Sequence, residues 1–250
     1  MPAQPVPQVE VVTVATQAVP DEPEFIGQAE ASRPVEIRPQ VTGILKAVLY
    51  REGRDVKKGD HLYQIDPVPF QAAVASAKAK IAQAEAKLVQ ARQDLERVKP
   101  LLAEQAVSQK DVDDAVAEEL SAKAALQGAK ADLIKAQFDF DNTLITAPID
   151  GLIERSRYYE GRLVSAQTDL LTVVHRVEPM FVVVSVPETF ILKRRRDIEA
   201  KRIQHPGVYQ LHGRLTLMDG TEYPEEAVLD LLEPGIRTET GARQARLTVP

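Results

Sequence analysis

The sequence has no cysteine and no tryptophan. Without cysteine there is no disulfide, no thiolate metal site and no Cys nucleophile. Aromatic residues make up only 5% of the chain. Ligand pockets are lined largely by aromatic and aliphatic side chains, so this scarcity argues against a dedicated small-molecule enzyme. Basic charge is also in deficit. The 31 Lys and Arg stand against 37 Asp and Glu, a net charge of −6, which disfavours nucleic acid as a partner. No apolar run approaches the roughly 20 residues that a bilayer-spanning helix needs, and no signal peptide precedes Pro2. The sequence opens in a Pro/Gln/Val stretch, Pro2 to Pro7, and stops inside a strand-like pattern at Thr248-Val249-Pro250, so both ends read as cut.

Catalytic patterns are missing too. Neither Gly59-Asp60 nor Gly151-Leu152 fits a Gly-rich phosphate loop. The four histidines, His61, His175, His205 and His212, do not pair at i, i+3 or i+4, so we expect no metal site. No cofactor and no enzymatic activity are expected.

What is present falls into three textures. Residues 9–67 are rich in Val, Ile, Pro and Gly, in short alternating runs such as Val9-Glu10-Val11-Val12-Thr13-Val14, and predict strands and turns. Residues 68–142 hold a single Gly and many Ala, Lys, Glu and Gln, and predict helix. Residues 143–250 return to the strand texture, broken by one basic helical candidate, Glu188 to Arg202. A helical insert therefore sits inside a β protein.

The insert is periodic. Val74, Ala77, Ile81, Ala84, Leu88, Ala91, Leu95, Val98 and Leu102 alternate steps of three and four. That is a heptad seam, with large residues at one position and mostly Ala at the other. Ala115, Ala122, Ala129 and Ala136 form a second series at steps of seven, with Leu126, Leu133 and Phe140 beside it. Two matching seams predict an antiparallel coiled-coil hairpin with arms of roughly 50 Å. Pro100 disturbs the end of the first helix, and Ser108 followed by Asp111 resembles a capping box opening the second. No third helix of similar length exists to complete a bundle, so the hairpin is expected to project and meet another protein.

An internal repeat frames the insert. Residues 41–66 align without a gap on 149–174, an offset of 108, with seven of 26 positions identical: Gly43, Tyr50, Glu52, Gly53, Arg54, Val56 and Leu62. Neither half is long enough to bury a core alone, so the halves are expected to pair as one small β sandwich. Gly43, Gly53, Gly151 and Gly161 read as structural turns of that scaffold.

At this point the sequence resembles a family. The stretches are Arg38-Pro39-Gln40-Val41-Thr42-Gly43, Glu52-Gly53 with Val56 and Gly59, Leu62-Tyr63-Gln64-Ile65-Asp66-Pro67, and Thr146-Ala147-Pro148-Ile149-Asp150-Gly151. Two such half-motifs around a helical hairpin look like the split lipoyl (biotinyl-like) domain of the membrane fusion protein family. The likeness is to the AcrA- and MexA-like periplasmic adaptors of resistance-nodulation-division (RND) multidrug efflux pumps, and it runs from about Val9 to Pro250. It implies an elongated, multidomain α+β protein. Residues 1–23 would carry the first strand (9–15) of a membrane-proximal domain. Residues 34–67 and 143–175 would form the lipoyl-like domain, and 68–142 the hairpin. Residues 24–33 and 176–250 would form a C-terminally incomplete β-barrel domain.

The resemblance also implies function. Such adaptors link an inner-membrane RND transporter to an outer-membrane channel, and self-associate into a ring, commonly a hexamer. They act in the periplasm, anchored to the inner membrane in the full-length protein. The family's tip pattern of Arg, three residues, Leu, six residues and Ser falls on Arg97, Leu101 and Ser108, implying contact with the outer-membrane channel. The basic run Lys193, Arg194, Arg195 and Arg196 is either a solvated helix face or a docking patch for the transporter or for lipid headgroups. Two alternatives stay open. One is an adaptor of an ABC-type exporter or type I secretion system. The other is a lipoyl or biotin carrier subunit, which would need a modified Lys in a tight turn where the hairpin stands.

Overall fold

The computed structural model describes residues 19–237 and 240–250; the strand expected at 9–15 lies outside them. In chain order the strands and helices are β1 (Gly27–Ile37), β2 (Gly43–Val48), β3 (Asp55–Val56), β4 (His61–Ile65), α1 (Val68–Ala103), α2 (Gln109–Asp141), β5 (Leu144–Thr146), β6 (Gly151–Ile153), β7 (Leu163–Val164), β8 (Thr172–Pro187), α3 (Glu188–Glu199), β9 (His212–Gly213), β10 (Ala227–Leu232) and β11 (Ala242–Val249).

One sheet has the order β3-β6-β8-β11-β10-β9, with β1 also on β8; a second runs β5-β4-β2-β7. The Val-rich β8 is the common member, as β-branched residues favour. Its first residues pair with β6 and its last with β11, while β1 follows it from Ile37↔Thr172 to Gly27↔Val184. Past β8, strands β11, β10 and β9 close a half-barrel over two small cores, Val182-Ala227-Val249 and Val184-Leu229-Ala245.

The repeat explains the rest of the β structure. Asp55 and Val56 of β3 pair with Leu152 and Gly151 of β6, and Leu163 and Val164 of β7 pair with Ile44 and Gly43 of β2. Exchanging the halves, by adding the 108-residue offset to β3 and subtracting it from β6, converts the first set of pairs into the second. Backbone bonds obey the same relation. Gly53 N–H donates to Ile153 O (3.0 Å) and Gly161 N–H to Leu45 O (2.8 Å), while Ile153 N–H donates to Arg54 O (3.1 Å) and Leu45 N–H to Arg162 O (2.8 Å). Each half thus supplies the strand partner the other lacks. One core draws on both halves, including Leu45, Val56, Leu62 and Ile65 with Ile145, Ile153, Val164 and Leu171. At its centre Tyr63, fully buried, lies 2.9 Å from both the Tyr50 hydroxyl and Ser156 Oγ, and donates to Leu171 O at 3.2 Å.

The four glycines serve two purposes. Gly53 and Gly161 make the expected turns, at φ 68° and 86°. Gly43 and Gly151 instead open strands, and there the missing side chain leaves room. A Cβ on Gly43 would lie 2.6 Å from Ile65 Cγ2, and one on Gly151 would lie 2.3 Å from the His175 carbonyl oxygen.

Helices α1 and α2 pack antiparallel between β4 and β5. Every seam position expected on α1, from Val74 to Leu102, is buried or half-buried, as is every one on α2. Ala91 and Ala122 meet Leu88 and Leu126 at the centre, where small side chains let the helices come close. Interhelical ion pairs flank the seam, Lys87–Glu118 at 3.1 Å and Arg92–Glu119 at 3.0 Å. Pro100 does not stop α1, which runs on to Ala103. α3 ends at Glu199, short of the expected Arg202, because Lys201 turns to φ 54°.

Candidate functional site

The hairpin tip is built from two complementary helix ends. α1 closes with Gln105 in the left-handed region (φ 52°). Ala106 N–H donates to Leu101 O at 3.0 Å and Gln105 N–H to Leu102 O at 3.1 Å, the paired bonds that satisfy the last carbonyls of a helix. Three residues later α2 opens on the expected capping box. Ser108 Oγ accepts from Asp111 N–H at 3.3 Å, and Asp111 Oδ2 accepts from Ser108 N–H at 2.8 Å and from its hydroxyl at 2.7 Å. These bonds hold the Asp111 carboxyl below the usual carboxylate range, and its charge sits favourably at a helix N-terminus.

The sequence-predicted tip residues occupy this frame. Arg97 is exposed and pairs with Asp94 at 3.2 Å. Leu101 follows one turn later on the same face, half-buried, and its carbonyl anchors the reversal. Ser108 is exposed at the start of α2. The tip thus presents a cation, an apolar residue and a hydroxyl on a backbone whose ends are internally satisfied. Rigid presentation lowers the entropy cost of binding.

The four basic residues of α3 do not all face outward. Lys193, Arg195 and Arg196 are exposed, with Leu192 beside them. Arg194 turns inward, where it pairs with Asp21 and lies over the Phe190 ring at 5.2 Å. Sequence reasoning missed Asp21, because nothing local marks a residue that acts across 173 positions.

Among the described residues, no group of three or more His, Asp or Glu could hold a metal ion. His175 Nε2 lies 2.7 Å from Glu154 Oε1, and His212 faces Glu226 at 3.5 Å, so each imidazole faces a single carboxylate. No described helix is long and apolar enough to cross a membrane.

Comparison with known proteins bears on this geometry. The family model for the RND membrane fusion protein (MFP) barrel-sandwich hybrid domain matches residues 33–176. Over all 250 residues the chain is 39% identical to the antibiotic efflux pump periplasmic linker protein ArpA of Pseudomonas putida, covering 64% of it. Over the same span it is 36% identical to the multidrug resistance protein MexA of Pseudomonas aeruginosa, covering 61%. The chain thus spans less than two thirds of the length of these relatives. Among solved structures, a MacA-MexA chimera containing the P. aeruginosa MexA α-hairpin domain superposes with a TM-score of 0.56 at 28% identity, over 89% of this chain and 72% of that one.

Proposed function

The chain belongs to the RND membrane fusion protein family, and from that premise we propose that it is a periplasmic adaptor joining an inner-membrane RND transporter to an outer-membrane channel in a drug efflux pump. The observation that carries the proposal is architectural. A long two-helix arm grows between the two halves of a sandwich that needs both halves for its core. Such an arm has its ends fixed and its tip free, as a bridge between membranes requires. We assign residues 34–67 and 143–175 to a lipoyl-like domain, 68–142 to a coiled-coil hairpin, and 24–33 with 176–250 to a β-barrel module. In the whole protein a further segment anchors the adaptor to the inner membrane.

In this reading Arg97, Leu101 and Ser108 contact the channel, while Lys193, Arg195 and Arg196 face the transporter. Self-association into a ring, commonly a hexamer among adaptors that this chain resembles, is supported by the hairpin's outer faces. α2 exposes Leu120, Ile134 and Phe138, at 58%, 71% and 57%. α1 carries an uncharged, exposed stripe of Ala72, Ala75, Ala79, Ala82, Ala86 and Val89. Uncovered apolar stripes of this kind mark interaction surfaces. The match to the RND branch favours this reading over an ABC exporter or type I secretion system.

The cysteine-free sequence makes a clean test. The whole protein in its own cells would carry Leu101→Cys or, near the exposed hairpin base, Lys78→Cys, each armed with a short cross-linker. Capture of an outer-membrane channel from Leu101→Cys and not from Lys78→Cys is expected. Capture of the channel from both positions, or from neither at normal expression, would overturn the tip assignment.

A further inference from the structure

Residues 19–26 lead into β1 and lie outside any strand. Their sequence is Val-Pro-Asp-Glu-Pro-Glu-Phe-Ile. Pro20 and Pro23 lack an N–H and fix φ, and they hold the residues before them extended. The segment is stiff and has few backbone donors to give the sheet. Its side chains hold it instead. Asp21 pairs with Arg194 of α3, and Glu22 pairs with Arg214 just beyond β9. Phe25 meets Phe190 edge to face, with ring centroids 5.1 Å apart, and the Arg194 guanidinium covers the same Phe190 ring.

α3 needs such help. None of its residues is buried, and its own tie to β11 is the Glu188–Arg243 pair at 3.7 Å. The Arg194 side chain, in contrast, is only 19% exposed, so its charge is partly desolvated and Asp21 is its counterion.

We propose that residues 21–25 form an acidic strap that clamps α3 to the barrel sheet by occupying Arg194 and Arg214 in cis, and that an acidic protein surface docking on Lys193–Arg196 displaces it. The strap stands on its own contacts; the competition rests on the docking role assigned to the basic run above. The chemistry suits a reversible clamp. The acidic partners of both pairs are exposed, so the pairs are weak and open to screening over about 8–10 Å at ordinary ionic strength, whereas the aromatic pair is indifferent to salt. Loosening the charges would leave α3 tethered through Phe25 and Phe190. Arg194 would then be able to turn outward toward the docked acidic surface.

Hydrogen exchange on the whole protein tests the clamp. In an Asp21→Asn/Glu22→Gln variant, α3 amides should exchange roughly three- to tenfold faster, the loss expected for two weak ion pairs. Salt at about 0.5 M should do the same in the wild type, while amides of β4, in the sandwich core, stay unchanged. Reversing the charges, Asp21→Arg with Arg194→Asp, should restore most of the protection. Unchanged α3 exchange in the neutralised variant would overturn the strap. Poly-glutamate then probes the competition. It should bind the neutralised variant more tightly than a control of equal charge, Glu222→Gln/Glu225→Gln. Equal binding by the two, with α3 loosened as expected, would overturn the competition and leave the clamp standing.

Discussion

At the scale of single residues, Tyr63 shows how one polar atom can fasten two halves of a scaffold. Its hydroxyl reaches Tyr50 in its own half, and Ser156 and the Leu171 carbonyl in the other. Leu171 is also the residue the repeat sets opposite Tyr63. Burial pushes the phenol well above its ordinary value of 10.0, so the group stays neutral and keeps its proton to donate. The unfolded chain ionises this phenol near pH 10, while the folded chain does not, so the folded state holds the proton more tightly. Its contribution is complete below about pH 10 and falls as pH rises further. Tyr63→Phe keeps the ring and loses the bonds, at a cost of about 1–2 kcal/mol near neutral pH. Urea unfolding should show that cost. It should also show that the gap between wild type and variant shrinks from about pH 9 to 11. A gap that stayed constant would mean the hydroxyl carries no such proton linkage.

At the scale of elements, the hairpin was the most legible part of the chain, because its seams follow a fixed period over many turns. What escaped were the first members of one series. Val112 and Glu119 extend Leu126, Leu133 and Phe140 upward by sevens. A carboxylate at Glu119 hides the pattern, yet it is half-buried against Arg92. Pro100 was legible as a disturbance but not as a survivor: a missing N–H is tolerable in a last turn whose carbonyls are satisfied by the reversal at Gln105. The long β1–β8 ribbon was not legible, since Pro34 and Pro179 break up its texture and a register shift between Ala31 and Arg33 re-phases it. The close approach of the helices makes a sharp prediction. Ala122, 1% exposed, shares a buried cluster with Leu88 and Ala91. Ala122→Leu should force the helices apart and cost roughly 1–3 kcal/mol. Amides around 88–95 and 118–126 should lose hydrogen-exchange protection together, while the sandwich keeps its own. Loss of protection in β2 and β4 instead would show that arm and sandwich unfold as one.

At the scale of the whole molecule, the question is whether the arm is a guest in the sandwich or part of its foundation. The repeat was visible in sequence as a match of residues. Its reciprocal strand exchange was not, because the partners lie about a hundred positions apart and pairing leaves no local mark. That exchange lets the two halves make their strand contacts directly with each other. β4 and β5 are direct neighbours, Gln64 opposite Leu144, and Ile65 N–H already donates to Thr143 O at 2.8 Å across the hairpin base. Of the hairpin, Phe70 is partly buried against the sandwich core. Replacing residues 68–142 with a short Gly-containing turn, of the length that joins adjacent antiparallel strands, should therefore leave the sandwich folded. The helical circular dichroism signal should collapse while one cooperative urea transition remains, its midpoint lowered by no more than the loss of the Phe70 contact. If the function proposed above holds, this variant keeps its hold on the transporter and loses the channel. A chain that failed to fold without its hairpin would make the arm a structural member, and the two halves would then need it to find each other.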